Sequence, residues 1–321
     1  MAVVINTNVD SIKIQNLLNG STASLSKSMQ RMSSGLQILS AKDDAAGTVI
    51  SAKMKVQLNG NQIAQKNVQN ANALLSTAEG NLDVVEENVS RIRDLTLQAK
   101  NGTYSEEEIK AMQDEVDQRI AEINRINESA EYSSLRLFGD KAEGGDYQYL
   151  AANGATFQVG ANDGVDNTIT ADKSLFASVE FSAMTKAGKF NLVALANNNT
   201  AGADDDFEAT TFKDATGAEI AAGNIPDGEN WFDVAIRALD MAIDNITDRK
   251  SEIGSVGNRM DSALDALETQ YENLSSAKSI ITDADVASEA SNFTQQQILQ
   301  QVSTSLLAQA NQAPSIALSL V

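Results

Sequence analysis

Thirteen positions, Leu239, Ile243, Ile246, Lys250, Ile253, Gly257, Met260, Leu264, Leu267, Tyr271, Leu274, Lys278 and Ile281, follow one another in alternating steps of four and three. A seam of that period, sustained over six repeats and broken only by two lysines and a glycine, marks a helix that packs along its whole length against other helices. At 1.5 Å per residue it reaches on the order of 60 Å, far beyond an ordinary globular helix. Such a seam needs a partner. The N-terminal half supplies one in Leu75, Ala78, Leu82, Val85, Val89, Ile92, Thr96 and Ala99, and a third run follows through Ile109, Met112, Val116, Ile120, Ile123 and Ile126. Between these two runs stand the turn signal Asn101-Gly102-Thr103 and a capping box from Ser105 to Glu108, so the chain turns there and restarts a helix. Proline occurs only at positions 226 and 314, and no ring interrupts a helix over the first 225 residues.

The two chain ends carry shorter seams: Leu18, Leu25, Met29, Met32, Leu36 and Leu39 at the front, and Ile298, Val302, Leu306 and Ala310 at the back. Both ends read as amphipathic helices. Ser40 with Asp43 and Thr282 with Asp285 read as caps that separate these ends from the long helices. The first 40 residues carry Lys13, Lys27 and Arg31 against Asp10, whereas residues 282–321 carry three acids and no base. The ends should attract each other weakly, exposed ion pairs being worth about 0 to 1 kcal/mol each.

The middle has another character. Residues 1–103 contain no aromatic side chain, while residues 141–230 hold eight of the fifteen aromatics and ten of the nineteen glycines. Tyr147 to Tyr149, Thr156 to Val159 and Thr168 to Thr170 are short alternating runs bounded by Gly, Asn and Asp, as hairpin strands are. This stretch carries fourteen acids and five bases, so it should face water. The expected fold is therefore mainly α: long antiparallel helical rods and a terminal coiled coil formed by both chain ends, with a smaller β-rich central insert.

Composition excludes several functions. The chain has no cysteine and no histidine, which removes zinc sites built on them, thiol nucleophiles and the Ser-His-Asp triad. A formal charge of −20 repels phosphate backbones and anionic headgroups, so neither nucleic acid nor membrane is an expected partner. No apolar run approaches the roughly 18 residues of a membrane span. Residues 1–8 lack a basic n-region and a long apolar stretch, so no ordinary secretory signal is read there. The acids from Asp204 to Glu208 lack the glycine and ligand spacing of an EF-hand loop and read as solvated loop. The Asn-x-Ser/Thr matches at Asn88, Asn101, Asn245 and Asn273 are as expected by chance, several lying on helical runs. No cofactor and no enzymatic activity are expected.

Certain segments are recognisable. Ile5 to Asn8, Arg31-Met-Ser-Ser-Gly-Leu36 and Ser40-Ala-Lys-Asp-Asp-Ala-Ala-Gly47 in the N-terminal part resemble bacterial flagellin, the subunit of the flagellar filament. Asp283-Ala-Asp285, Gln297 to Gln301 and Leu307 to Gln312 match the other end, and Phe157 to Gly164 resembles the hairpin region of that family. The chain departs from the usual pattern at Gln37-Ile38-Leu39, at Thr48-Val49 and in its last residues. The segment from about 170 to 228 matches nothing recognisable.

The resemblance implies three domains: residues 1–40 with 282–321 as an inner terminal coiled coil, 41–170 with 229–281 as a helical rod domain with a β-hairpin region, and 171–228 as a small variable outer domain. It also implies a secreted, extracellular subunit of the bacterial flagellum, exported unfolded with the help of a chaperone. The implied partners are other copies of itself in a helical homopolymer, the filament cap and hook-filament junction proteins, and the vertebrate Toll-like flagellin receptor. Arg91, Leu95, Gln98 and Glu115 match the receptor-facing surface and lateral contacts of the family. The alternative reading is a hook-filament junction protein, which resembles flagellin at its ends.

Overall fold

The computed structural model describes residues 8–138, 150, 154–179, 192, 196, 211–213, 219–221 and 231–318. The expected strand Tyr147 to Tyr149 and the acidic run Asp204 to Glu208 lie outside the described residues. The fold is mainly α. Five long helices, α1 (Val9–Ser34), α2 (Ala45–Ala99), α3 (Glu106–Ser129), α4 (Trp231–Thr282) and α5 (Val286–Leu318), are accompanied by three two-stranded antiparallel pairs. The chain divides into two compact units, residues 1–60 with 269–321, and residues 61–268.

In the second unit the long seams become a core. Leu75, Ala78, Leu82, Val85, Val89, Ile92, Thr96 and Ala99 of α2 are all buried, as are Leu239, Ile246, Ile253, Met260 and Leu267 of α4 and Ile109, Met112, Val116, Ile123 and Ile126 of α3. Polar contacts set the register. Asn72 donates to Asp261, Lys250 pairs with Asp83, Arg93 with Asp240 and Lys100 with Asp233. Steps of 11, 10 and 7 residues along α2 are matched by equal steps back along α4, as an antiparallel pair in constant register requires. Lys250 stands on the apolar seam because its ammonium reaches Asp83 at 2.6 Å and Glu86 at 2.8 Å; these two hydrogen bonds raise its pKa above the ordinary lysine value.

The capping box forms as expected. Ser105 Oγ accepts from the Glu108 amide while the Glu108 carboxylate accepts from the Ser105 amide, and α3 begins there. The other two cap expectations need correction. Ser40 and Asp43 close a turn on each other, and the side chain that takes an orphan amide at the start of α2 is Asp44, bonded to Gly47 N. Thr282 ends α4, and Asp285 caps α5 by accepting from Ala287 and Ser288. Spacing of three identified the neighbourhood, but carboxylates three and four residues after the hydroxyl side chains took the caps.

The small sheets all belong to the second unit. β1 (Glu131–Tyr132) and β2 (Leu135–Arg136) are joined by Ser133 and Ser134, both at positive φ, in the two-residue geometry usually given to Asn-Gly. β3 (Ala155–Gln158) pairs with β4 (Thr168–Ala171), with Phe157 opposite Ile169, close to the runs expected from the sequence. Gly160 is required in the intervening loop, because a Cβ there would sit 1.9 Å from Asn167 Oδ1. β5 (Thr211–Lys213) and β6 (Glu219–Ala221) form the third pair. Arg249 is buried on α4; it donates to the Ala177 carbonyl, and burial pulls its pKa below the ordinary guanidinium value.

Candidate functional site

Two surfaces carry the residues singled out above. The first is the α1/α5 pair of the first unit. The helices run antiparallel: Asn8 donates to the Ala310 carbonyl, Ser11 to Asn311, Gln300 to Thr22, and Arg31 faces Glu289. The face of α1 turned inward is Ser11, Ile14, Leu18, Ser21, Leu25, Ser28 and Met32, a strict alternation of three and four. On α5 the corresponding face is Glu289, Phe293, Gln296, Gln300, Ser303, Leu307 and Ala310. Ser21, Ser28 and Ser303 are buried at 5, 6 and 1% exposure, so small hydroxyl side chains line the seam where aliphatics would be usual.

This arrangement corrects the expected terminal seams. Leu18, Leu25, Met32 and Ala310 do lie on the inward faces, but Met29, Ile298, Val302 and Leu306 are 54, 54, 47 and 43% exposed and point away from them. Ile298, Val302 and Leu306 are spaced by four, and form an outer apolar stripe on α5 that Leu299 widens. Leu36 and Leu39 are not on the helix at all, because Gly35 ends α1 in the left-handed conformation at φ 73°. Leu36 instead bridges to Asp283, with Gln37 donating to the Thr282 carbonyl and Ala284 to that of Gly35. Aliphatic spacing finds the pairing face of α1 in part and on α5 finds only Ala310; the same period read through the buried serines completes it.

The stretch after α1 is clamped as well. Lys27 reaches Asp43 at 2.6 Å, and Asp43 also accepts from the Ser40 amide and hydroxyl. The Lys27 hydrogen bond, aided by those from Ser40, lowers the Asp43 pKa to about 2.

The second surface lies on α2 and α3. Arg91 Nε and Nη2 grip the two carboxylate oxygens of Glu115 at 2.7 and 3.2 Å, a bidentate pair on the surface. Arg119 stands 3.8 Å from the same carboxylate and also donates to the buried Asn88. The Arg91 hydrogen bond is the main reason that the Glu115 pKa falls below the usual carboxylate range. Gln98 is exposed about two turns further along α2 from Arg91 and donates to the Tyr104 hydroxyl at 3.0 Å, across the Asn101 turn. Leu95 differs from expectation: it is 2% exposed and part of the hydrophobic core, so it supports this face from beneath and does not present its side chain to a partner. The exposed apolar residue here is Leu97, at 41%.

No described helix is long and apolar enough to cross a membrane. Residues 5–143 match the family model of the bacterial flagellin N-terminal helical region, and residues 236–321 match that of the C-terminal helical region. The chain is similar over its full length to a flagellin of Serratia marcescens, at 37% identity, and to flagellin D of Vibrio cholerae, at 33%, with each relative also covered in full. A solved structure of a putative flagellar hook-associated protein from Vibrio parahaemolyticus shares the fold, with a TM-score of 0.51 and 16% identity over 74% of this chain and 99% of that one. Two terminal helical regions matched in place, and relatives of equal extent, lead to one conclusion: this chain belongs to the bacterial flagellins, the structural subunits of the flagellar filament.

Proposed function

We propose that the chain polymerises by turning the outer faces of its two terminal helices onto neighbouring copies. The observation that carries this reading is the outer face of the α1/α5 pair: Ile298, Val302 and Leu306 stand exposed on α5 while serines and glutamines take up part of the inner seam. An apolar stripe left in water is stabilised by a partner, and a head-to-tail contact that does not close yields an open helical filament. The pair's inner seam mixes serine and glutamine with half-buried Leu18, Leu25 and Leu307 and so buries less apolar surface than a full aliphatic seam, and full ordering of residues 1–40 and 282–321 is coupled to assembly. The test is Val302→Asp. The variant monomer should keep its far-UV circular dichroism and fail to elongate short filament seeds in the electron microscope; normal elongation would rule the reading out. Deleting residues 1–40 and 282–321 together should leave a soluble helical monomer that cannot polymerise, as the division into an inner coiled coil, a helical domain of residues 41–170 with 229–281, and an outer domain of 171–228 requires.

Export in an unfolded state, with a chaperone over the C-terminal helix, is consistent with a chain that has no cysteine to form a threading obstacle. Arg91, Gln98 and Glu115 form a candidate face for the vertebrate Toll-like receptor, with Leu95 holding the helix beneath them. Arg91→Ala removes both the bidentate grip and the exposed guanidinium. It should lower receptor signalling by soluble monomer, and unchanged signalling would remove this role. The second reading, a hook-filament junction protein, draws on the fold likeness to the hook-associated structure. Seeded growth separates the two: a filament subunit continues the polymer and a junction protein stops it.

A further inference from the structure

The chain contains four Asn-Gly pairs, at Asn19-Gly20, Asn59-Gly60, Asn101-Gly102 and Asn153-Gly154. Such a pair is open to internal attack by the glycine nitrogen on the asparagine side-chain carbonyl, because glycine has no Cβ to block the approach. The reaction needs a glycine N–H that is free of hydrogen bonds and a side chain able to swing over the following peptide. A helix denies both, since its backbone is fixed and each interior amide is tied to a carbonyl one turn back. Asn19-Gly20 lies inside α1 and Asn59-Gly60 inside α2. The Gly154 amide donates to the Leu150 carbonyl at 2.7 Å.

Asn101-Gly102 is different. It occupies the exposed turn between α2 and α3, where the Asn101 carbonyl accepts from the Thr103 and Tyr104 amides. Among the described residues, no hydrogen bond holds the Gly102 amide or the Asn101 side chain, and nothing stands within 4 Å of the Gly102 Cβ direction. We propose that Asn101 is a site of spontaneous covalent modification, converting in water to aspartate and isoaspartate while helix α2 protects Asn59. The Gly102 nitrogen forms a bond to Asn101 Cγ, the Cγ–Nδ2 bond breaks, and ammonia leaves carrying the proton from Gly102. Water then opens the cyclic imide. Cleavage between Cγ and the ring nitrogen yields aspartate; cleavage at the former backbone carbonyl yields isoaspartate, with the peptide running through the side chain.

Either product changes the turn. A new carboxylate appears just past the C-terminal end of α2, where the helix dipole is already negative and repels it. Isoaspartate also adds a backbone carbon inside the turn that Thr103 and Tyr104 close, and which the Gln98–Tyr104 hydrogen bond spans. The test is incubation of the folded full-length chain in mildly alkaline buffer, followed by peptide mapping with mass spectrometry and enzymatic methyl labelling of isoaspartate. Asn101 should convert faster than Asn59 by about ten-fold or more, because Asn59 reacts only when α2 opens locally. Gly102→Ala should slow conversion at Asn101, and denaturant should bring the two sites together. Equal rates at Asn101 and Asn59 in the folded chain, or a Gly102→Ala rate equal to the parent's, would overturn the proposal.

Discussion

The α1/α5 pair and the α2/α3/α4 bundle use the same heptad period to opposite ends. In the bundle, aliphatic side chains such as Val89, Ile92, Ile246 and Met260 fill the seam and charges stand at its margins. In the terminal pair, Ser21, Ser28 and Ser303 are buried in the seam beside half-buried Ile14, Leu18, Leu25, Met32 and Leu307, and further aliphatics stand on the outer face. Periodicity therefore decides that helices associate, whereas the content of the seam decides how much of the association is completed within one chain. A buried Ile or Leu contributes about 1.5 to 3 kcal/mol by leaving water, and a buried serine contributes close to nothing on the same account. The bundle closes its apolar seam within one chain, whereas the pair leaves Ile298, Val302 and Leu306 exposed.

The largest effect that separates the two regions comes from one substitution made in each. Ile92→Ala opens a cavity in the bundle and should cost about 2 to 5 kcal/mol, read as a lower urea midpoint. Ile298→Ala on the outer stripe should leave monomer stability within about 0.5 kcal/mol and act only on seeded elongation. Next is the seam of the pair itself. Ser303→Leu forces a large side chain into a space sized for a hydroxymethyl group and should cost about 1 to 3 kcal/mol of local stability, seen as faster amide exchange along α1 and α5 with the bundle unchanged. If exchange in the pair stays the same, the buried serine is not setting the helix separation.

A smaller change sharpens the comparison from the bundle's side. Ser134→Gly relieves a positive φ in the β1–β2 turn and should raise the urea midpoint by an amount equivalent to about 1 kcal/mol. The smallest effect is pH-dependent. The Asp43 pKa is depressed in the folded chain, so its contribution is fully present above the usual carboxylate range and is lost as the pH falls through that range toward about 2. Proton titration followed by NMR should show the Lys27–Asp43 clamp releasing in that window, and Asp43→Asn should abolish the transition there.

Much of this was legible from residue order. The seams of α2, α3 and α4, the Ser105 capping box and the β3–β4 hairpin stand where period and turn chemistry put them. The misses share a cause: each depends on which of two nearby groups wins a single contact. Asp44 and Asp285 outcompeted Ser40 and Thr282 for orphan amides, and Leu95 lies with Thr96 in the core beneath the Arg91–Glu115 surface although Asp94 and Leu97 on either side are exposed. Gly35 ended a helix that hydrophobic spacing alone would continue to Leu39. The β1–β2 hairpin had no turn signal to find, because serines occupy positions where Asn and Gly are normal. The pairing face of the terminal helices shows only partly in its aliphatics, because Ser21, Ser28 and Ser303 occupy its buried positions.

The register between α2 and α4 has a bearing on the middle of the chain. Its last rung, Lys100 with Asp233, joins the residue just past the end of α2 to the third residue of α4, so each rung stands within or directly beside the two helices. At two described positions the stretch between residues 180 and 230 is tied into this helical frame: Leu192 is buried in the core with its amide donating to Gln113, and Ala196 packs against the same cluster, so a replacement sequence would have to fill those places while the frame closes on the same rungs.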